Sequence, residues 1–285
     1  MAGDAAPQRP GAGRRAVPER LPVLMYHSVS RPVAGPLHDQ AVPPWRLAEQ
    51  LGALTGAGYR LVGLTEALDL LDTATADAPL VALTFDDGYL NFLTDGLPRL
   101  ASAGAAATLY PVVGSLGGPA RWLDGRAAEL GPLLSEPQLA EVATAGIEIG
   151  SHGLAHEPLD VLSTAVVERE LAESRDRLEQ AIGQPVRSFC YPHGYHTHRM
   201  RTLVRRAGYD NACEVGRRIY RPAAPRHEAR FAIPRLQVTS AHSGTDLLEL
   251  VRGGGPHLVP RVKRLAQPGW RIARRMAHRL GRRLT

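Results

Sequence analysis

Apolar residues recur along the chain in two alternating rhythms. Short continuous runs, PVLMYHSV, LVALTF, VRSFCYP and FAIPRLQV, have the length and composition of buried strands. Between such runs lie segments of helical spacing, as from Ser163 to Ile182 with Val166, Leu171, Leu178 and Ile182. Four times a helix-like segment closes on Ala-Gly and leads directly into a strand-like one: TGAGYRLVGL, ASAGAAATLYPVV, ATAGIEIGSH and RRAGYDNACEV. Gly58, Gly104, Gly146 and Gly208 stand where a helix C-terminus takes a left-handed residue. SEPQ at Ser135 to Gln138 fits a capping box, with Glu136 and Pro137 in the first helical turn. The alternation predicts seven or eight parallel strands joined by crossover helices. In that architecture functional residues collect at the C-terminal ends of the strands.

Composition adds a frame to this pattern. A chain of 285 residues with 44% hydrophobic content can bury one large core, and one main domain is expected. Cys190 and Cys213 are too few for a disulfide framework and lack the spacing of a thiolate metal site. Residues 1–20, rich in Ala, Gly, Pro and Arg without a continuous apolar stretch, read as a disordered leader with no signal peptide, and hence a cytoplasmic location. From Leu250 onward there are ten Lys or Arg and no Asp or Glu, which leaves 24 basic and 28 acidic residues before it. The expected organisation is therefore a leader at 1–20, a catalytic domain at 21–240 and a C-terminal helix with a basic tail at 241–285. Ile272, Met276, Leu280 and Leu284 fall four apart among arginines, a pattern suited to peripheral contact with an anionic membrane, with a solvated tail as the alternative. Nucleic acid is not expected as a partner, because the segment nearly lacks aromatic stacking groups.

Candidate chemistry sits where the pattern places strand ends. LVALTF runs into Asp86 and Asp87; IEIGS runs into HGLAH, with His152 and His156; SFCYP runs into HGYH, with His193 and His196. Two adjacent carboxylates at the end of a buried strand repel each other, so a cation or a donor must stabilise them. Two histidines at i and i+4 with one carboxylate make a three-ligand site for a divalent metal, with a position left for water. The other carboxylate can take a proton from that water. Taken singly, Asp-Asp-Gly also reads as a turn and HxxxH as a surface face; their joint placement after strands favours a site.

TFDDGY, SHGLAHEPL and SFCYPHGYHTHRM resemble the first three motifs of the polysaccharide deacetylases of the NodB homology type, carbohydrate esterase family four, and PVLMYHSVS resembles a first strand of that family. The resemblance spans about Leu21 to Thr239. It implies an α/β fold, a distorted (β/α) barrel of about seven strands that holds a divalent ion, Zn²⁺ foremost. By position it implies Asp86 as catalytic base and Asp87, His152 and His156 as metal ligands. Pro192, His193 and Gly194 match the third motif, so the backbone N–H of His193 would donate to the oxyanion of a tetrahedral intermediate.

Two departures from the family pattern follow. Many members carry an arginine two residues before that proline to hold the catalytic aspartate; Cys190 stands there, and Arg235 in AIPRLQV is the expected replacement. No late histidine motif appears, and His242 in TSAHSG is the expected general acid. His27, Tyr89 and Trp122 are candidates to line the pocket. The implied function is a metal-dependent hydrolase that removes an acetyl group from an N-acetylated amino sugar, as an oligo- or polysaccharide or a glycolipid intermediate. An O-acetyl carbohydrate esterase and a non-catalytic carbohydrate-binding protein on the same fold remain the alternatives.

Overall fold

In the first half of the chain, strands β1 (Val23–Tyr26), β2 (Arg60–Val62), β3 (Leu80–Asp87), β4 (Thr108–Pro111) and β5 (Glu148–Ile149) alternate with helices α1 (Pro44–Gly56), α2 (Leu64–Thr73), α3 (Leu97–Ser102) and α4 (Glu136–Thr144). There follow α5 (Thr164–Ile182), β6 (Ser188–Cys190), α6 (His198–Arg206), β7 (Asn211–Glu214), α7 (Arg226–Ala229), β8 (Ile233–Pro234), β9 (Leu236–Gln237) and α8 (Gly244–Gly253). This computed structural model describes residues 20–222 and 226–253. The expected leader and the basic, membrane-binding helix read into the C-terminal tail lie outside the described residues. No helix among the described residues is long and apolar enough to cross a membrane.

Every strand ladder is parallel, as the helix-strand alternation requires. One sheet has the order β5-β4-β3-β1-β9, with β2 also on β3; a second has the order β6-β7-β8. All eight residues of β3 are buried, so its apolar run is the axis on which the first sheet is built. The two sheets meet at two seams. At one, a single parallel bridge joins Ser151 to Phe189, with Ser151 N–H donating to Ser188 O (2.9 Å) and Cys190 N–H to Ser151 O (2.8 Å). At the other, the segment FAIPRLQV leaves the second sheet as β8 and enters the first as β9, breaking at Arg235. The expected barrel is thus a distorted one: two parallel sheets curl toward each other, and no continuous ladder closes among the described residues.

A buried polar chain ties the sheets together at the N-terminal end of the strands. Tyr110 Oη and Ser188 Oγ lie 2.6 Å apart, Ser188 Oγ donates to Asn211 Oδ1 (2.6 Å), and Asn211 Nδ2 donates to Thr65 Oγ1 (3.0 Å). Thr65 and Thr108 both donate to the Glu148 carboxylate, which links α2 to β4 and β5. Each member has a partner, so the network joins the sheets without leaving a buried group unsatisfied.

Local signals in the sequence set the helix ends. Gly58, Gly104, Gly146 and Gly208 all adopt positive φ. Ser135 N–H donates to Gln138 Oε1 at 2.9 Å, and the Ser163 hydroxyl accepts from Val166 N–H at 3.4 Å at the start of α5. Helix α8 packs on α1, burying Leu247 and Val251, while Gly244 N–H donates to Glu49 Oε1 (2.9 Å).

The seam between the sheets leaves no space beside Gly150. A Cβ there would lie 2.3 Å from Tyr110 Cε1 and 2.9 Å from Ser188 O, whereas nothing lies within 4 Å of a Cβ at Gly52 on α1. Gly150→Ala should therefore lose about 1–3 kcal/mol of stability to overpacking. Gly52→Ala should gain about 0.5–1 kcal/mol from helix propensity. Urea denaturation of both variants checks the pair of signs.

Candidate active site

The end of β3 is turned so that its last two side chains reach different partners. Asp87 has φ 72°, and Gly88 follows at φ 81° with its N–H donating to Asp86 O (2.9 Å). A Cβ on Gly88 would stand 2.8 Å from Pro111 Cβ, so only glycine lets β3 and β4 approach here. Positive φ at Asp87 is strained for a residue with a side chain, and strain of this kind is held in place by the surrounding packing.

Asp86 faces Arg235. The guanidinium is fully buried and grips the carboxylate with both arms, NH1 to Oδ1 at 2.6 Å and NH2 to Oδ2 at 2.7 Å. It also donates to Thr84 Oγ1 (3.0 Å), Cys190 Sγ (3.1 Å) and Glu214 O (3.3 Å). Burial alone would raise the Asp86 pKa, but the Arg235 charge and its hydrogen bonds outweigh burial and hold the group well below the usual carboxylate range. Asp86 is therefore ionised at neutral pH. Cys190, at the place where the family pattern has arginine, is small enough to leave room for this grip, with its thiol 3.6 Å from Asp86 Oδ2.

Asp87 faces the histidines. Its Oδ1 lies 3.7 Å from His152 Nε2 and 3.5 Å from His156 Nε2, and one donor atom from each of the three residues falls within 4.8 Å of the others. Among the described residues no Lys or Arg is within ion-pairing distance of Asp87. Burial first, and repulsion from Asp86 second, push its carboxyl up to about 8, against a smaller lowering by the Tyr89 hydroxyl. His152 Nδ1 lies 2.8 Å from Cys190 O; a carbonyl only accepts, so Nδ1 carries the proton and the Nε2 lone pair points toward Asp87. Burial lowers the His152 pKa, which keeps this ring neutral as a ligand must be. Two imidazoles and one buried carboxylate without a cationic partner fit a divalent metal of the zinc type. The second group of convergent donors, Asp86, His152 and Cys190, already has the Arg235 charge against two of its members.

The remaining candidates divide. The His193 ring meets His156 edge-on, centroids 4.5 Å apart, and His193 stands at φ 57° in the turn Pro192–Gly194. Trp122 also stacks on His156, at 4.6 Å and 27°, so this half-buried indole walls that ring. His196 is drawn away to Glu214 Oε2 at 2.6 Å and stacks on Tyr191. His242, the expected acid, is tied to its own turn: Nδ1 accepts from Thr239 N–H (3.1 Å), and its carbonyl accepts from Gln50 Nε2 (2.7 Å). Its charged neighbours are Asp246 and Asp39, and among the described residues no hydrogen bond or ion pair joins it to Asp86, His152 or His156. His27, by contrast, stands beside Asp86. Its Nε2 is 4.0 Å from Asp86 Oδ2, its Nδ1 is buried without a partner, and burial, partly offset by Asp86, lowers its pKa to about 4. The signal for it was present in the sequence, since His27 directly follows the buried run PVLMY.

This arrangement has relatives. Residues 73–212 match the sequence profile of the polysaccharide deacetylase family. The YxkH protein of Bacillus subtilis (strain 168), whose own description as a polysaccharide deacetylase is provisional, is 28% identical over 229 residues, 80% of this chain and 75% of that protein. Among solved structures, the Streptococcus pyogenes deacetylase PplD in complex with acetate superposes with a TM-score of 0.69 at 23% identity, over 81% of this chain and 98% of that one. IcaB from Ammonifex degensii gives a TM-score of 0.68 at 23% identity, over 82% and 98%. The chain is thus similar to the polysaccharide deacetylases over these residues, and it has the parallel α/β fold of the NodB-type deacetylases.

The opposed shifts of the site groups set a pH dependence of stability. In the metal-free protein Asp87 stays protonated up to about pH 8, whereas the unfolded chain releases that proton near 3.8. The folded state binds more protons over that window, so stability falls as pH rises through it. His27 acts oppositely, neutral when folded down to about 4 and protonated when unfolded below 6.5, so its effect ends at 6.5. From pH 6.5 to 8 the decline due to Asp87 should stand alone. Thermal melts of metal-free protein should show Asp87→Asn gaining on the wild type across this interval.

Proposed function

We propose that the protein is a metal-dependent carbohydrate deacetylase that hydrolyses the N-acetyl group of an amino sugar, a carbon–nitrogen bond that is not a peptide bond. The observation that carries this reading is the division of labour between two adjacent carboxylates. Asp86 is ionised and paired with Arg235, whereas Asp87 is buried without a fixed cation beside two imidazoles. Environments that push two neighbouring groups apart are how one site obtains both a base and a metal ligand.

Asp87, His152 and His156 would hold the metal, Zn²⁺ by their donor types, which when bound polarises the acetyl carbonyl and makes water more acidic. Asp86 acts as the base, accepting the proton of the attacking water on a carboxylate oxygen; Arg235 fixes its orientation and keeps it ionised. The His193 N–H, in the tight turn that follows β6, is the donor placed for the developing oxyanion. A proton gathered at Asp86 is held weakly there because of Arg235, and His27 Nε2 at 4.0 Å is the next basic atom. An imidazolium whose pKa is depressed by burial is a strong acid toward a leaving amine.

That relay favours the amide over the ester substrate. An amine leaves only when protonated, whereas an alkoxide of lower basicity depends less on an acid, and His27 supplies the acid. His152→Ala or His156→Ala should lose most bound metal and activity with an unchanged far-UV circular dichroism spectrum. Asp86→Asn should keep the metal and lose turnover by about two to four orders of magnitude. Metal analysis with single-turnover assays on N-acetylated oligosaccharides checks both; retention of stoichiometric metal in His152→Ala would sink the ligand assignment.

His27→Ala should lower kcat on an N-acetylated sugar far more than on 4-nitrophenyl acetate, whose leaving group needs no proton. Equal losses on the two substrates would remove His27 as acid. Turnover of O-acetylated but not N-acetylated sugar would turn the reading to the esterase, and metal binding with no turnover of either to a carbohydrate-binding protein.

A further inference from the structure

The two histidines of SHGLAH are not carried by a helix. Residues 153–158 form an irregular loop, His156 has φ 57°, and yet both Nε2 atoms lie within 3.7 Å of Asp87 Oδ1. A loop delivers ligands to one point only if its own backbone is held, and here its first three residues are held from outside it. Val113 N–H donates to Gly153 O (3.0 Å) and Gly114 N–H to Leu154 O (2.8 Å), which fixes the loop's carbonyls. Its N–H groups turn the other way, toward α5. Gly153 N–H donates to Ser151 Oγ (3.1 Å), which in turn donates to Ser174 Oγ (2.8 Å). Leu154 N–H and Ala155 N–H both converge on one atom, Glu170 Oε2, at 2.7 and 3.2 Å.

Glu170 is a carboxylate on α5 with only 5% of its surface exposed, and among the described residues no Lys, Arg or His pairs with it. A buried acid on a helix without a cationic partner needs a reason, since a leucine would pack there at less cost. Its two charge-assisted bonds to successive loop amides provide one. The packing leaves no slack, because a Cβ on Gly153 would approach Glu170 Oε2 to 3.1 Å, and one on Gly114 would approach Leu154 O to 2.5 Å.

We infer that Glu170 is a positioning residue of the metal centre: it orders the backbone between His152 and His156, so that the histidine pair and Asp87 are convergent before a metal arrives. This rests on the reading of those three residues as metal ligands. Preorganised ligands bind more tightly because less ordering remains to be done on binding, and supporting groups of this sort commonly change metal affinity by about 10- to 100-fold. Removing the carboxylate takes the shared acceptor away from both N–H groups and lets the loop relax toward other partners.

The test is a Zn²⁺ affinity measured by chelator competition on the full chain. Glu170→Asp, which keeps the charge and withdraws it by one methylene, and Glu170→Ala should each weaken binding by at least tenfold. Glu170→Gln, which retains an oxygen acceptor at the same reach, should recover to within about threefold of wild type. Hydrogen exchange at the Leu154 and Ala155 amides should quicken in the Asp and Ala variants and stay slow in the Gln variant. Leu178→Ala, a cavity in the same helix, serves as the control: it should lower the melting temperature and leave Zn²⁺ affinity unchanged. Should Glu170→Ala fail to fold, the Asp and Gln variants still decide the matter. Wild-type Zn²⁺ affinity in Glu170→Asp alongside its loss in His152→Ala overturns the positioning role alone. Retention of affinity in both overturns the metal centre and this role with it.

Discussion

The grip of Arg235 on Asp86 is the interaction on which the rest of the site depends. Two carboxylates on successive residues of a buried strand end cannot both ionise unless one is given a partner of its own. Arg235 provides it, fully buried and bidentate, and so commits Asp86 to the ionised form. Asp87 is then left with burial and a like charge as its neighbours, which makes it a receptor for a cation. Buried ion pairs contribute little net stability, but breaking one leaves a charge stranded at a loss of about 3–5 kcal/mol. The pair is better understood as a device that sorts two identical side chains into two chemical roles.

The fold makes that grip available through an irregularity. A guanidinium reaches the interior from the point where one extended segment changes sheets, between β8 and β9, and the same break in the ladder leaves the barrel unclosed. On the opposite side of the site a single bridge at Ser151 joins the sheets, and the next residue is His152. The candidate site residues thus stand at both seams, where the backbone departs from regular pairing and side chains can be aimed inward. The polar chain through Tyr110, Ser188, Asn211 and Thr65 holds the sheets together at the other end of the strands, away from the chemistry.

Much of this was legible in the sequence because it is written in short-range rules. The Ala-Gly punctuation located helix ends, apolar runs located strands, and residues just past those runs located the carboxylates and histidines. Arg235 was recognisable only by analogy, since nothing local distinguishes it from a surface arginine; its role depends on a residue 149 positions earlier. His242 was singled out on chain order, but its ring bonds to its own turn at Thr239, whereas His27, at the end of β1, lies 4.0 Å from Asp86 and is the residue proposed as acid. Glu170 carries no motif at all. A glutamate on an amphipathic helix reads as solvent-facing, and only its bonds to the loop that precedes α5 show that it faces inward.

The account stands most directly on where a metal ion sits. Anomalous diffraction from crystals grown with Zn²⁺, recorded on both sides of the zinc absorption edge, locates the ion independently of any activity. The account predicts one peak within coordinating distance of Asp87 Oδ1, His152 Nε2 and His156 Nε2, with Arg235 still closed on Asp86. A peak bound by Asp86 and Cys190 with Arg235 displaced would contradict it, as would a site free of zinc in a protein that remains fully active.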